Sequence, residues 1–122
     1  MIGTNDVASG VPNIPPRLGA LLDTLLSADP ALLLVVAQIV PQQRATPDTQ
    51  NTLVQAYNAA IPSLVQARAA AGKHVLMVDM YRALTANASY STVDFANTLH
   101  PNDTGYGVMA ATWYAAIGPL LR

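Results

Sequence analysis

Residues able to move protons or make covalent bonds are few in this chain. It holds two histidines, His74 and His100, and its seven acidic residues are all aspartates. Cysteine is absent, which excludes disulfides, thiolate nucleophiles and Cys-bound zinc or iron–sulfur centres. The histidines and scattered aspartates show no metal-ligand spacing, and no glycine-rich loop is built to cradle a phosphate. The remaining polar groups gather at Gly3-Thr4-Asn5-Asp6, at Pro41-Gln42-Gln43-Arg44, at Asp79 and at His100-Pro101-Asn102-Asp103-Thr104-Gly105-Tyr106. His100 lies near the end of a stretch of more than 20 residues without an evident element, and connections of that length tend to be functional.

The intervening residues predict the elements that would position these groups. The chain opens on what reads as the tail of a strand, and Ala8 to Pro16 is a loop rich in Gly and Pro. From Arg17, Leu18, Leu21, Leu22, Leu25 and Leu26 recur at i, i+3, i+4, i+7 and i+8, which predicts a helix ending before Pro30. Residues 31–40 are apolar without alternation, the pattern of a strand covered on both faces. Thr46 and Pro47 predict the N-cap and first turn of a second helix that ends at Gly72, with a kink or break at Pro62. Another buried strand is expected over 73–80, then a long loop over 81–103, then a helix from Thr104 or Gly105 to about Ile117, capped by Asp103-Thr104. This order predicts a single α/β/α layered domain with a parallel sheet. In open sheets of that kind, ligands bind at the carboxyl ends of the strands, which is where the polar groups fall. His74, beside Lys73, reads as exposed and structural, and Met77, Met80 and Met109 as core filler.

In this order the residues resemble a known family. Gly3-Thr4-Asn5-Asp6 and His100 to Tyr106 resemble two sequence blocks of the SGNH hydrolases, also called GDSL-type esterases and lipases. Tyr57 to Pro62 and Gly72 to Met80 look like a helix and a strand of the same family. The resemblance implies a flavodoxin-like fold lacking its first strands, so that residues 1–122 form one partial domain. It implies an acyl-ester hydrolase that needs no cofactor and acts on carbohydrate acetyl esters or short-chain esters. His100 would be the base, Asn5 an oxyanion donor, and Asn97, three residues before His100, would stand where the family has an Asp. Asp94 and Asp103 are nearby alternatives for orienting the imidazole.

The family's Gly-Asp-Ser block does not occur in the chain, and Ser9, Ser27, Ser63, Ser89 and Ser91 lack a nucleophile elbow. The nucleophile is therefore expected from a preceding segment or another chain. The alternative is a non-catalytic module of the same fold that binds or assembles. For Asn5 the competing role is a plain turn residue.

Composition narrows the partners. Only 11% of residues are charged and 52% are hydrophobic, enough to bury a core, and the formal charge of −1 leaves no basic footprint for nucleic acid. No apolar run approaches the roughly 20 residues of a membrane span. The first six residues have neither the basic nor the apolar region of a signal peptide, although full-length relatives of the family are often secreted, so localisation stays open. If the fold lacks its first strands, one edge of the first strand present is bare, and self-association through it is expected.

Overall fold

The computed structural model describes residues 2–42 and 49–121. The elements are α1 (Thr4–Ala8), α2 (Ile14–Ala28), β1 (Leu34–Ala37), α3 (Thr49–Ala70), β2 (Val75–Val78), α4 (Met80–Thr85), α5 (Tyr90–Val93) and α6 (Asp103–Ile117), followed by a 3₁₀ turn, Gly118–Leu120. β1 and β2 pair in parallel, Leu34 opposite Val75 and Ala37 opposite Val78, with α3 as the crossover. Alternate strand residues enter two separate cores. Leu34, Val36, Val75 and Met77 pack with Val7 of α1, Leu18 and Leu22 of α2, and Val54, Tyr57, Ile61 and Val65 of α3. Val35, Ala37, Leu76 and Val78 pack with Met80 and Leu84 of α4 and with Met109 and Trp113 of α6. Helices thus cover both faces of a parallel pair, the three-layer α/β arrangement expected from the sequence.

Several elements differ from their sequence-based expectations, each for a local reason. Residues 2–8 hold a turn and α1 in place of a strand tail. Gly3, at φ +98°, reverses the chain, and Val7 is buried against α3. α2 starts at Ile14, three residues earlier than expected, because Pro15 and Pro16 sit in the first turn, where an N–H has no helical partner to lose. The region 81–103 is not one loop. Asp79 Oδ1 accepts from the Arg82 N–H at 3.0 Å and starts α4, whose Met80 and Leu84 are fully buried one turn apart. The expected cap at Thr46 and Pro47 lies outside the described residues, as do Gln43 and Arg44. Gly72 ends α3 as expected, at φ +77°, with Lys73 N–H bonded back to Arg68 O at 3.0 Å.

β1 is shorter than its apolar run because α3 competes for its backbone. The last ladder bond runs from Gln38 N–H to Val78 O at 3.1 Å. One residue on, the buried Asn58 takes over. Its Oδ1 accepts from Ile39 N–H and its Nδ2 donates to Ile39 O, both at 2.9 Å, so a side chain replaces a strand partner. Pro62 completes this junction and explains why α3 runs through it unbroken. A proline has no N–H for the carbonyl four residues earlier, which here is Asn58 O. That carbonyl accepts from Gln38 Nε2 at 3.3 Å instead. Removing the carboxamide in Asn58→Ala leaves both Ile39 groups buried and unpaired. A loss of about 2 kcal/mol or more is expected, read as a lower urea midpoint at unchanged slope. An unchanged midpoint would show that Asn58 does not anchor residues 38–40.

Candidate active site

The segment after β1 adjoins both regions that hold the sequence-predicted polar groups. Gln42 is fully buried, and its Nε2 reaches Thr4 O at 3.4 Å, next to Asn5. Pro41, one residue before, lines a small hollow with Tyr90, Phe95, Asn97 and Thr98. Residues 41 and 42 therefore adjoin α1 on one side and the segment leading to His100 on the other.

Asn5 lies in the first turn of α1. It is exposed, and its side chain makes no hydrogen bond among the described residues, so the carboxamide N–H groups are free to donate outward. The turn that presents it depends on Gly3. A Cβ there would stand 2.8 Å from the Tyr57 hydroxyl, and the positive φ is itself strained for any other residue. Tyr57 is buried beneath, and desolvation, reinforced by the negative charge of Asp6, raises its pKa above the ordinary phenol value. It remains a neutral phenol packed under the turn.

His100 and Asn97 share a tight turn. Asn97 Oδ1 accepts from Leu99 N–H at 2.9 Å, from His100 N–H at 2.9 Å, and lies 3.1 Å from His100 Nδ1. The two backbone donors identify that atom as the amide oxygen, since an NH₂ group could not accept from them. In the neutral ring, Nδ1 then donates to this oxygen and the lone pair falls on Nε2. This is the tautomer a general base requires. Asn97 thus orients the imidazole as a carboxylate would, without its charge. The carboxyl groups of Asp94 and Asp103, the other candidates for this task, make no hydrogen bond with His100. The Asp94 backbone bonds Tyr90 and Asn102, and Asp103 is exposed in the first turn of α6.

The cap of α6 is a correction to the sequence reading. Asp103 and Thr104 do not supply it. Asn102 does, its Oδ1 accepting from Gly105 N–H at 3.0 Å. An Asn three residues before a Gly at a helix start was the available signal, masked by the equally good capping residue beside it. Gln42 and Asn58 carried no signal of their own, because their roles depend on contacts across about 38 and 19 positions of sequence, respectively. Asp79 is a helix cap, and His74 is exposed just before β2.

A model described as the GDSL-like Lipase/Acylhydrolase family matches residues 1–108. The chain belongs to the GDSL-like lipase/acylhydrolases. The fold of this GDSL-like chain is similar to that of the Clostridium thermocellum family 3 carbohydrate esterase, with a TM-score of 0.79 and 28% identity over 98% of this chain and 54% of that one. A structure from Streptococcus pneumoniae, provisionally named a platelet activating factor, shares the fold at a TM-score of 0.80 and 22% identity, over 96% of this chain and 57% of that one. By sequence, the chain is 34% identical over 115 residues to a protein of Acetivibrio thermocellus provisionally named endoglucanase X, covering 93% of this chain and 46% of that protein. The GDSL-like chain spans about half the length of the relatives it matches.

Proposed function

We propose that this chain supplies the base and an oxyanion donor of a GDSL-type ester hydrolase, working with a serine nucleophile from outside these 122 residues. The carrying observation is the Asn97–His100 pair, which leaves Nε2 as a free base on an exposed turn. In the proposed reaction, the serine oxygen attacks the ester carbonyl carbon while His100 Nε2 takes the serine proton. Asn5 Nδ2–H donates to the oxygen that becomes negative in the tetrahedral intermediate. Collapse expels the alcohol, which takes the proton from Nε2, and leaves an acyl-serine. Water then repeats the sequence with the same base and releases the acid. No cofactor enters these steps.

Two features support a serine from outside. No Gly-Asp-Ser block occurs in the chain. Thr4 Oγ1 and Gln42 Oε1, at the junction beside Asn5, are buried without a hydrogen-bond partner among the described residues. For the substrate, likeness to the family 3 carbohydrate esterase favours esters of carbohydrate, and the family resemblance of the sequence narrows these to acetyl or other short-chain esters. The test is acetate release from acetylated sugar by the chain joined to a family segment carrying Gly-Asp-Ser. Preference for acetyl over long acyl esters is expected. A correctly folded joined protein that binds acetylated sugar without hydrolysing it would favour the alternative, a binding module of this fold.

The bare edge of β1 is the proposed self-association surface. Among the described residues β1 pairs with β2 alone, and a cavity of about 250 Å³ runs beside it, lined by Leu18, Leu21, Leu25, Leu34, Val36 and Trp113 with no charged side chain. Nothing along Leu34–Ala37 resists pairing: there is no proline, charge or bulge, and a net charge of −1 gives two copies little reason to repel. When the family's first strands are not joined to this edge, the proposed occupant is a second copy, its own β1 edge pairing across a two-fold axis. Sedimentation is expected to show a concentration-dependent dimer that Val36→Lys weakens. A monomer at high concentration would contradict it.

A further inference from the structure

We infer that Asn102, outside the acid–base pair, is a positioning residue for His100. The inference rests on the reading of His100 as the base. His100 is exposed, so packing does not fix its ring; its orientation depends on Asn97 Oδ1 three residues earlier in the same turn. That turn is closed at its base by backbone bonds, Ala96 N–H to His100 O at 2.9 Å and Asn102 N–H to Asp94 O at 2.9 Å, with Phe95 bridged to Pro101 between them. Asn102 then fixes this small hairpin to both neighbouring helices with one carboxamide. Its Nδ2 donates to Val93 O at the end of α5, at 2.8 Å, while its Oδ1 accepts from Gly105 N–H at the start of α6. The backbone approach is so close that a Cβ at Gly105 would collide with the Asp94 carbonyl oxygen. A residue at 102 must donate and accept at once to hold the turn against both helices. Asparagine does this; aspartate, an excellent N-cap, can only accept.

That difference separates positioning from capping. In the full chain labelled with ¹⁵N-histidine, the ring nitrogen shifts of neutral His100 report its tautomer, with His74 as internal reference. Wild type is expected to show Nδ1 protonated and Nε2 bare as the dominant form. Asn102→Asp is expected to keep the α6 cap and the fold but to lose that dominance, the tautomer ratio falling toward unity. Asn97→Ala, which removes the orienting oxygen itself, is expected to lose it fully. If Asn102→Ala proves too unstable to record, the aspartate variant still decides the matter. An unchanged tautomer ratio in folded Asn102→Asp would overturn the inference and leave Asn102 as a helix cap only. The readout needs no catalysis, so failure of the hydrolase reading would appear separately, as ester hydrolysis indifferent to His100.

Discussion

His100→Ala is expected to lower kcat for p-nitrophenyl acetate by about 10²–10⁴-fold, the usual contribution of a positioned acid–base group, in the chain joined to a segment carrying Gly-Asp-Ser. The loss follows from geometry. Asn97 Oδ1 holds the proton on Nδ1, and Nε2 is the basic atom of the ring. Without it the serine must attack with its proton in place, and the leaving alcohol must depart unprotonated. Folding should be untouched, because the ring is exposed and its one side-chain partner among the described residues is Asn97. A matched melting curve with collapsed turnover is therefore the expected pair of results. Equal hydrolysis with and without His100 would remove it from the mechanism.

Asn5→Ala is expected to cost about 10²–10³ in kcat, or about 2.7–4 kcal/mol of transition-state stabilisation, the size seen when one oxyanion donor is removed. KM should barely move, since the charge that Asn5 stabilises exists only after attack. The site predicts this separation from folding effects. The Asn5 side chain is exposed and makes no hydrogen bond among the described residues, so its removal should change stability by no more than about 0.5 kcal/mol. An unchanged kcat would return Asn5 to the role of a plain turn residue. A raised KM with unchanged kcat would make it a ground-state binding group.

The layered fold was legible because its signals are local. The leucine period of α2, the apolar run around Val75, the glycine at 72 and the last helix each declare themselves within a few residues. The pair of polar blocks around Asn5 and His100 was legible for the same reason. What escaped was set across the chain. β1 stops where Asn58, on another element, captures Ile39, and Pro62 leaves α3 whole because Gln38 takes the carbonyl that the proline releases. Neither event leaves a trace in the periodicity of either segment. The loop expectation over 81–103 failed differently. Met80 and Leu84 do repeat at helical spacing, but one turn is too short to stand out from irregular sequence. At the site, Asn97 stands where the family resemblance leads one to expect an aspartate. Its one oxygen accepts from the backbone N–H groups of Leu99 and His100 and lies 3.1 Å from His100 Nδ1, the contact on which the proposed tautomer rests.

The most direct test of a base and oxyanion donor awaiting an external serine is labelling with a serine-reactive fluorophosphonate. The chain alone should remain unlabelled. The chain joined to a Gly-Asp-Ser segment should be labelled at that serine, at a rate that falls sharply in His100→Ala. Labelling of Ser9, Ser27, Ser63, Ser89 or Ser91 in the chain alone would contradict the account, as would labelling of the joined protein that ignores His100.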